Sequence, residues 1–319
     1  MKITTSKYYA NANIEKNEAY YDYSNYKIEV GDIDNYQIVQ KMGRGRYSEV
    51  FEGVASTNAK VVIKVLKPVR STKINREILI LKHLEHKNII RLKDVVLDSS
   101  SGMYSLIFDY MRHQESLSFF DKLNLNHIRF YSRQILEALN YTHSKGIIHR
   151  DIKPQNMIVD LHSKQLKILD WGLGEFYIPE KEYSVRVASR YYKAPELLVG
   201  YSYYDYSLDI WSFGCILAEL LLKKRPFFHG MKKSEQIQEV ARILGVKDLR
   251  SYLGKYEISE DILEKVADMP EERKPLLDFV DKEEYHLVED GIDLLEKIFI
   301  YDHQDRPSAA ECLSHRFFD

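Results

Sequence analysis

The feature that most limits the fold of this chain is a change of hydrophobic period near residue 115. Before it, apolar residues alternate. Tyr36-Gln37-Ile38-Val39, Val50-Phe51-Glu52-Gly53-Val54 and Val61-Val62-Ile63-Lys64-Val65 read as strands. Ile74, Ile78, Leu81 and Leu84 then share one face of a helix over 73–84, and Leu92–Leu97 and Tyr104–Tyr110 read as two further strands. After the change, Ile128, Tyr131, Ile135, Leu139 and Thr142–His143 recur at helical spacing. Leu208–Leu222 is a mostly apolar helix, and Leu294–Phe299 continues the pattern. Strands first and helices later predict an α+β fold of two lobes. The smaller, over 36–110, is an antiparallel sheet with one helix; the larger, over 111–319, is helical; they join at Asp109–Arg112.

Bulk properties narrow the classes of function. With 319 residues the chain can bury a substantial core in both lobes. Apolar content of 45% and charged content of 29% are those of an ordinary soluble globular protein. A net charge of −2 gives no bulk attraction to nucleic acid or membrane, so charge recognition must come from local clusters. The two cysteines, Cys215 and Cys312, sit in apolar helical patterns, which suits a reducing compartment better than a disulfide framework. Met1–Ala10 is polar and lacks a signal-peptide core. Ile210–Leu222 is broken by Ser212 and Glu219 and is too short to span a bilayer. Many of the 24 tyrosines fall in the first 36 residues. That segment, 1–35, is too polar for a core strand; either its aromatic rings pin it to the folded core or it is a disordered arm.

The chemistry concentrates in His149-Arg150-Asp151-Ile152-Lys153-Pro154-Gln155-Asn156. A carboxylate, an ammonium and a carboxamide within six positions are what phosphoryl transfer requires. The carboxylate orients and accepts the proton of an attacking hydroxyl, the cation offsets charge on the moving group, and the amide oxygen holds a metal ion. Gly43-Arg44-Gly45-Arg46-Tyr47-Ser48-Glu49-Val50 lies between two strands, where glycine lets backbone N–H groups approach phosphates. No Gly-Lys-Ser/Thr follows, and a strand rather than a helix comes next, which excludes Walker and dinucleotide-binding loops. Lys64 is the one charge in an apolar strand and needs a partner, for which Glu77 on the next helix stands ready. Asp170-Trp171-Gly172 follows the strand Leu166–Leu169, with Asp170 placed to share a Mg²⁺ with Asn156. Further on, Glu196 of Ala194-Pro195-Glu196 is expected to pair with Arg306, and Asp209 to accept backbone N–H bonds from the 149–156 loop.

Taken in order, these motifs resemble the eukaryotic protein kinases over residues 36–319. The resemblance sharpens to the casein kinase 2 catalytic (alpha) subunits in Gly43–Glu52, Leu66-Lys67-Pro68-Val69, Asp170–Leu173 and Val185–Lys193. Tyr204–Asp209, Pro226–Gly230, Tyr301–Gln304 and the arm Tyr20–Gly31 fit it as well. It implies a two-lobed protein kinase fold and a non-specific serine/threonine protein kinase. Such an enzyme transfers the γ-phosphoryl group of ATP, with GTP as a second donor and Mg²⁺ as cofactor, to Ser/Thr preceding acidic residues. The catalytic residues are then Asp151, Lys153 and Lys64, and the metal ligands Asn156 and Asp170. The nucleotide site comprises Gly43, Arg44, Gly45, Arg46, Tyr47, Ser48, Val50, Val62, Lys64, Glu77, Phe108, Asp109, Met111, Ile158 and Leu169. Arg186, Arg190 and Lys193 would receive the substrate's acidic residue. The family's N-terminal arm packs on the activation segment, here 170–196, and keeps it active without phosphorylation; a regulatory (beta-type) dimer docks on the small lobe; nucleus and cytoplasm are the compartments.

One residue departs from kinases in general, and one stretch and one further residue depart from the casein kinase 2 pattern. Trp171 stands where kinases usually carry Phe, and its larger ring with an N–H donor is expected to resist flipping. Between Lys67 and Glu77 only Arg70, Lys73 and Arg76 remain of a dense lysine run, and Gln155 replaces a histidine. Acids distal to the acceptor should therefore matter less than the adjacent one. Alternation in β-structure also turns Ile63 and Val65 away from the nucleotide. With Ile38 and Phe51 they would form an exposed apolar patch, either a docking surface or a face covered by the arm. Two other readings stand beside the main one. A glycogen synthase kinase or cyclin-dependent kinase relative is opposed by Lys193 and Asp170-Trp171-Gly172, and a catalytically inert scaffold is opposed by the intact Lys64–Asp151–Asn156–Asp170 set.

Overall fold

The computed structural model describes residues 1–45, 47–111 and 123–319. The small lobe is a five-stranded antiparallel sheet: β1 (Tyr36–Arg44), β2 (Ser48–Ala55), β3 (Lys60–Leu66), β4 (Leu92–Asp98) and β5 (Met103–Asp109), in the order β1-β2-β3-β5-β4. Its single helix, α1 (Ser71–His83), buries Ile74, Ile78 and Leu81, the stripe read from the sequence, and also buries Glu77 one turn from Ile74. The helix begins two residues earlier than its apolar stripe suggested, at Ser71 just after Arg70, and Leu84 follows it in extended backbone.

Pairing within the sheet sets which side chains meet the interlobe cleft. Val62 lies opposite Phe108, and Lys64 lies between Val50 and Leu106. The residues between them point the other way, where Val61 and Ile63 form a second small core with Val96 and Ile107. This corrects the expected exposed patch. Ile63 is buried, Phe51 and Val65 are partly buried against it, and Ile38 with its neighbour Val39 is left exposed. Nor does the arm cover this face: it meets the sheet at the β4 edge, where Gly31 N–H donates to Val95 O at 2.8 Å.

The large lobe is built on α2 (Leu125–Ser144), capped by the Asn124 side chain, which accepts from His127 N–H, and on α4 (Ser207–Leu221), in which every residue is buried. Between them run two short hairpin-like pairs. β6 (Ile147–Ile148) pairs with β9 (Glu175–Phe176), and β7 (Met157–Asp160) with β8 (Gln165–Ile168). Residues 149–156 thus link β6 to β7, and residues 169–174 link β8 to β9, so the two motif loops emerge side by side. The remainder is helical: α3 (Pro195–Val199), α5 (Lys233–Leu244), α6 (Lys247–Lys255), α7 (Asp261–Glu264), α8 (Tyr285–Ile298) and α9 (Ala309–Leu313). Among the described residues, no helix is long and apolar enough to cross a membrane. The expected lobe junction ends at Arg112, which lies outside the described residues.

Residues 1–35 run along the core rather than away from it. The Thr4 hydroxyl meets Tyr201 Oη at 2.8 Å, and Ser6 N–H donates to Tyr177 Oη at 2.8 Å. Asn13 is fully buried and donates through Nδ2 to Gly146 O and Tyr177 O at 2.7 and 2.8 Å. Gly146 sits at φ +76°, and a Cβ there would come within 2.4 Å of the Asn13 amide, so both the turn and the packing require glycine. Tyr20 stacks on His83 at the end of α1 at 3.8 Å, and Asn75 donates to Tyr23 O and Tyr26 O. The arm therefore touches α1, β9 and the large lobe together.

Candidate active site

The site starts from Asp209 at the head of α4. Its carboxylate accepts N–H bonds from His149 and Arg150, both at 2.8 Å, and from His143 Nε2 at 3.0 Å. Burial opposes its ionisation, but His143 and these donors hold it below the ordinary carboxylate value. This anchor fixes the 149–156 loop, with Arg150 at φ +66°. Beyond it, Asp151 is held on both oxygens. Oδ1 accepts Ser189 N–H at 2.8 Å, and Oδ2 accepts Lys153 Nζ at 2.7 Å and Asn156 Nδ2 at 3.1 Å. Lys153 also donates to Ser189 Oγ at 2.7 Å, tying loop and activation segment together. A carboxylate so restrained presents a fixed acceptor to a hydroxyl arriving beside it.

Lys64 bridges the lobes, with Nζ 2.7 Å from Glu77 and 2.8 Å from Asp170. Burial pulls its pKa down, yet the two carboxylates outweigh this and raise it, so the ammonium stays charged. Asp170, at φ +54°, is half exposed (51%) to the cleft. Desolvation raises its pKa, but Lys64 brings it below the ordinary value. Asn156 spends its amide N–H groups on Asp151, which leaves its carbonyl oxygen without a protein donor among the described residues. A free amide oxygen and an ionised carboxylate on one cleft suit Mg²⁺, which takes few protein oxygens and completes its shell with phosphate and water.

Above these groups is a cavity of about 560 Å³. Of the sequence-predicted nucleotide residues, Gly43, Gly45, Ser48, Val50, Val62, Lys64, Glu77, Phe108, Met111, Ile158 and Leu169 line it. Arg44 and Tyr47 do not. Arg44 turns to Glu49 at 3.5 Å on the outside of the hairpin, and the exposed Tyr47 ring carries the Lys73 ammonium at 5.7 Å. Asp109 is likewise absent from the lining, and its side chain goes to Lys93 at 3.2 Å. Arg46 lies outside the described residues. Sequence reasoning missed Met42, Leu81, Ile90 and Met157 in the lining. Leu81 belonged to the apolar stripe of α1, a signal that marks core and pocket alike.

Trp171 is fully buried and packs edge-on to His149 at 4.6 Å. Its indole N–H has no acceptor among the described residues, so packing rather than the anticipated donor holds the ring. A second unforeseen element is Glu175, which is buried and accepts from Arg76 at 2.8 Å and Arg150 at 3.4 Å. Arg150 also donates to Leu173 O at 2.7 Å. An acid inside an otherwise apolar β9 was the available clue. At the far end of the segment, Glu196 and Arg306 form a bidentate pair, 2.7 Å on each arm, with both side chains fully buried.

The three cations expected to meet substrate lie along the end of the activation segment. Arg186 and Arg190 are exposed and have no acidic partner among the described residues. Lys193 is partly buried and donates to Val187 O. Burial, with Lys233 and Arg190 nearby, brings its pKa down to about 8.

Comparison with known proteins matches a protein kinase domain model to residues 36–318. The chain is also 57% identical over 317 residues to a protein described as a probable casein kinase II subunit alpha homolog of Encephalitozoon cuniculi (strain GB-M1), covering 99% of this chain and 98% of that protein.

Proposed function

The chain belongs to the protein kinase family, and we propose that it phosphorylates serine and threonine side chains that are followed by an acidic residue. It is a serine/threonine protein kinase of the casein kinase II alpha type. Its family generally uses ATP with Mg²⁺. In our reading Asp151 orients the acceptor hydroxyl and takes up its proton, Lys153 offsets charge on the transferring group, and Lys64 holds the α/β-phosphates. Asn156 and Asp170 would hold Mg²⁺, which when bound screens the phosphate charges.

The observation that carries the acid preference is that Arg190 and Lys193 follow directly on Ser189, whose N–H is bound to Asp151, and that Arg186, Arg190 and Lys193 are in no ion pair among the described residues. One charge-assisted contact is worth enough to raise kcat/KM about tenfold for a Ser-Asp peptide over its Ser-Ala counterpart. Lys193 is charged below about 8, so this ratio is expected to be full at pH 7 and to shrink as pH rises beyond that value. Steady-state assays across pH read it directly, and a ratio near one at neutral pH would remove the acid preference. Because of Gln155 and the sparse Lys67–Arg76 cations, an acid three residues after the acceptor should add less than the adjacent one.

Constitutive activity is supported by the arm and by Glu175. Removal of residues 1–30 frees Gly146, Tyr177, His83 and Asn75 from their partners. It should lower kcat/KM by about tenfold or more through loss of positioning. Turnover equal to that of the full chain would refute this role of the arm. The exposed Ile38 and Val39 on β1 support docking of a regulatory dimer on the small lobe. The buried, unpaired Cys215 and Cys312 agree with residence in the nucleus and cytoplasm.

A further inference from the structure

The row of cations beside the acceptor site continues past Lys193 onto α5. Tyr191, between Arg190 and Lys193, is locked to the segment that leads into this helix. Its ring packs against His229 at 5.3 Å, its hydroxyl faces the Met231 sulfur at 3.9 Å, and its carbonyl accepts Gln236 Nε2 at 3.4 Å. This packs α5, whose first residue is Lys233, against the turn of 190–192 that leads into Lys193. Five residues along α5, Gln238 Nε2 donates to Lys265 O at 2.7 Å and holds the backbone of a further lysine against the same helix. Arg190, Lys193, Lys233 and Lys265 thus lie on neighbouring segments, and none is in an ion pair among the described residues, Asp151 acting on Lys193 only at longer range. Glu235 turns aside to Met231 N–H at 2.9 Å and Lys232 at 4.0 Å.

The electrostatics agree with this placement. Burial and then Lys233 lower the pKa of Lys193, and burial and then Lys265 lower that of Lys233. At Lys193 the Asp151 carboxylate offsets part of this repulsion, and an incoming anion relieves what remains between Lys193, Lys233 and Lys265.

We propose that Lys233 and Lys265 form a second anionic subsite, which binds a carboxylate side chain of the protein substrate several residues away from the acceptor. The proposal rests on the acid-directed kinase reading above and extends it, by giving a distal acid a seat on the large lobe. The cations of α1 are too few to supply one.

The test is a peptide series with one acid fixed directly after the serine and a second aspartate moved through the positions on both flanks. For each peptide, kcat/KM is divided by that of the single-acid parent, so a general loss of folding or activity cancels. Wild-type protein is expected to show a gain of about fivefold, expressed in KM, at one position beyond the adjacent one. In Lys233→Glu the ratio should fall to about one, in Lys265→Glu it should fall partway, and in Lys233→Arg it should persist. A gain that is the same in wild type and Lys233→Glu, or no gain at any position, overturns the subsite while leaving the adjacent-acid preference intact. Failure of wild type to prefer the single-acid parent over its alanine counterpart removes the underlying reading as well.

Discussion

Replacing Asp151 with asparagine should lower kcat by about 10²- to 10⁴-fold, the span associated with loss of a positioned general base. The geometry explains why the nearest isostere fails. The carboxylate accepts on both oxygens, from Ser189 N–H, Lys153 Nζ and Asn156 Nδ2. An asparagine can still accept from Ser189, but its amide nitrogen then faces the Lys153 ammonium, donor against donor. Both the proton acceptor and the seat of Lys153 are lost in one substitution. KM for ATP should change little, because the cavity lining does not include Asp151. Single-turnover phosphotransfer to an acidic serine peptide measures the step itself. Activity within threefold or so of wild type would mean that another group accepts the proton.

The second large effect concerns stability. Arg306→Ala should cost about 3–5 kcal/mol, measured by denaturant unfolding, because it strands Glu196 as an unpaired charge at a fully buried position. Arg306 also donates to Ile300 O, Ser207 O and Tyr301 O, so the same change releases three carbonyls. Replacing both partners at once, Glu196→Gln with Arg306→Met, should cost clearly less than the single change, since no isolated charge is left behind. Equal losses from the single and double variants would show that the carbonyl contacts, not the ion pair, dominate. The pair joins α3, at the close of the activation segment, to the chain just before α9, so partial unfolding is expected to loosen the substrate side first.

Much of this arrangement was legible because phosphoryl transfer demands particular groups in sequence order. Asp151, Asn156 and Asp170 lie on loops whose flanking strands are short, and local spacing alone brings them close. Lys64 and Glu77 were legible for a different reason: a lone charge in an apolar strand needs an opposite charge, and the next helix offers one. What the chain does not announce are contacts made by residues ordinary in their own neighbourhood. Asn13 looks like one polar residue in a polar arm, yet it is buried against Gly146 and Tyr177. Arg44 and Tyr47 belong to the correct loop, but the hairpin turns their side chains outward, and a motif does not record that direction. Ile63 was misread because alternation says which face a residue takes, not whether that face is covered. Val61, Val96 and Ile107 surround it.

Glu175 has a consequence for how such an enzyme is governed. Its carboxylate already occupies the guanidinium groups of Arg76 and Arg150. A phosphate added to the neighbouring segment would arrive at a socket whose cations are taken, with a buried negative charge beside it. Any group that is to bind Arg76 and Arg150 must first displace Glu175.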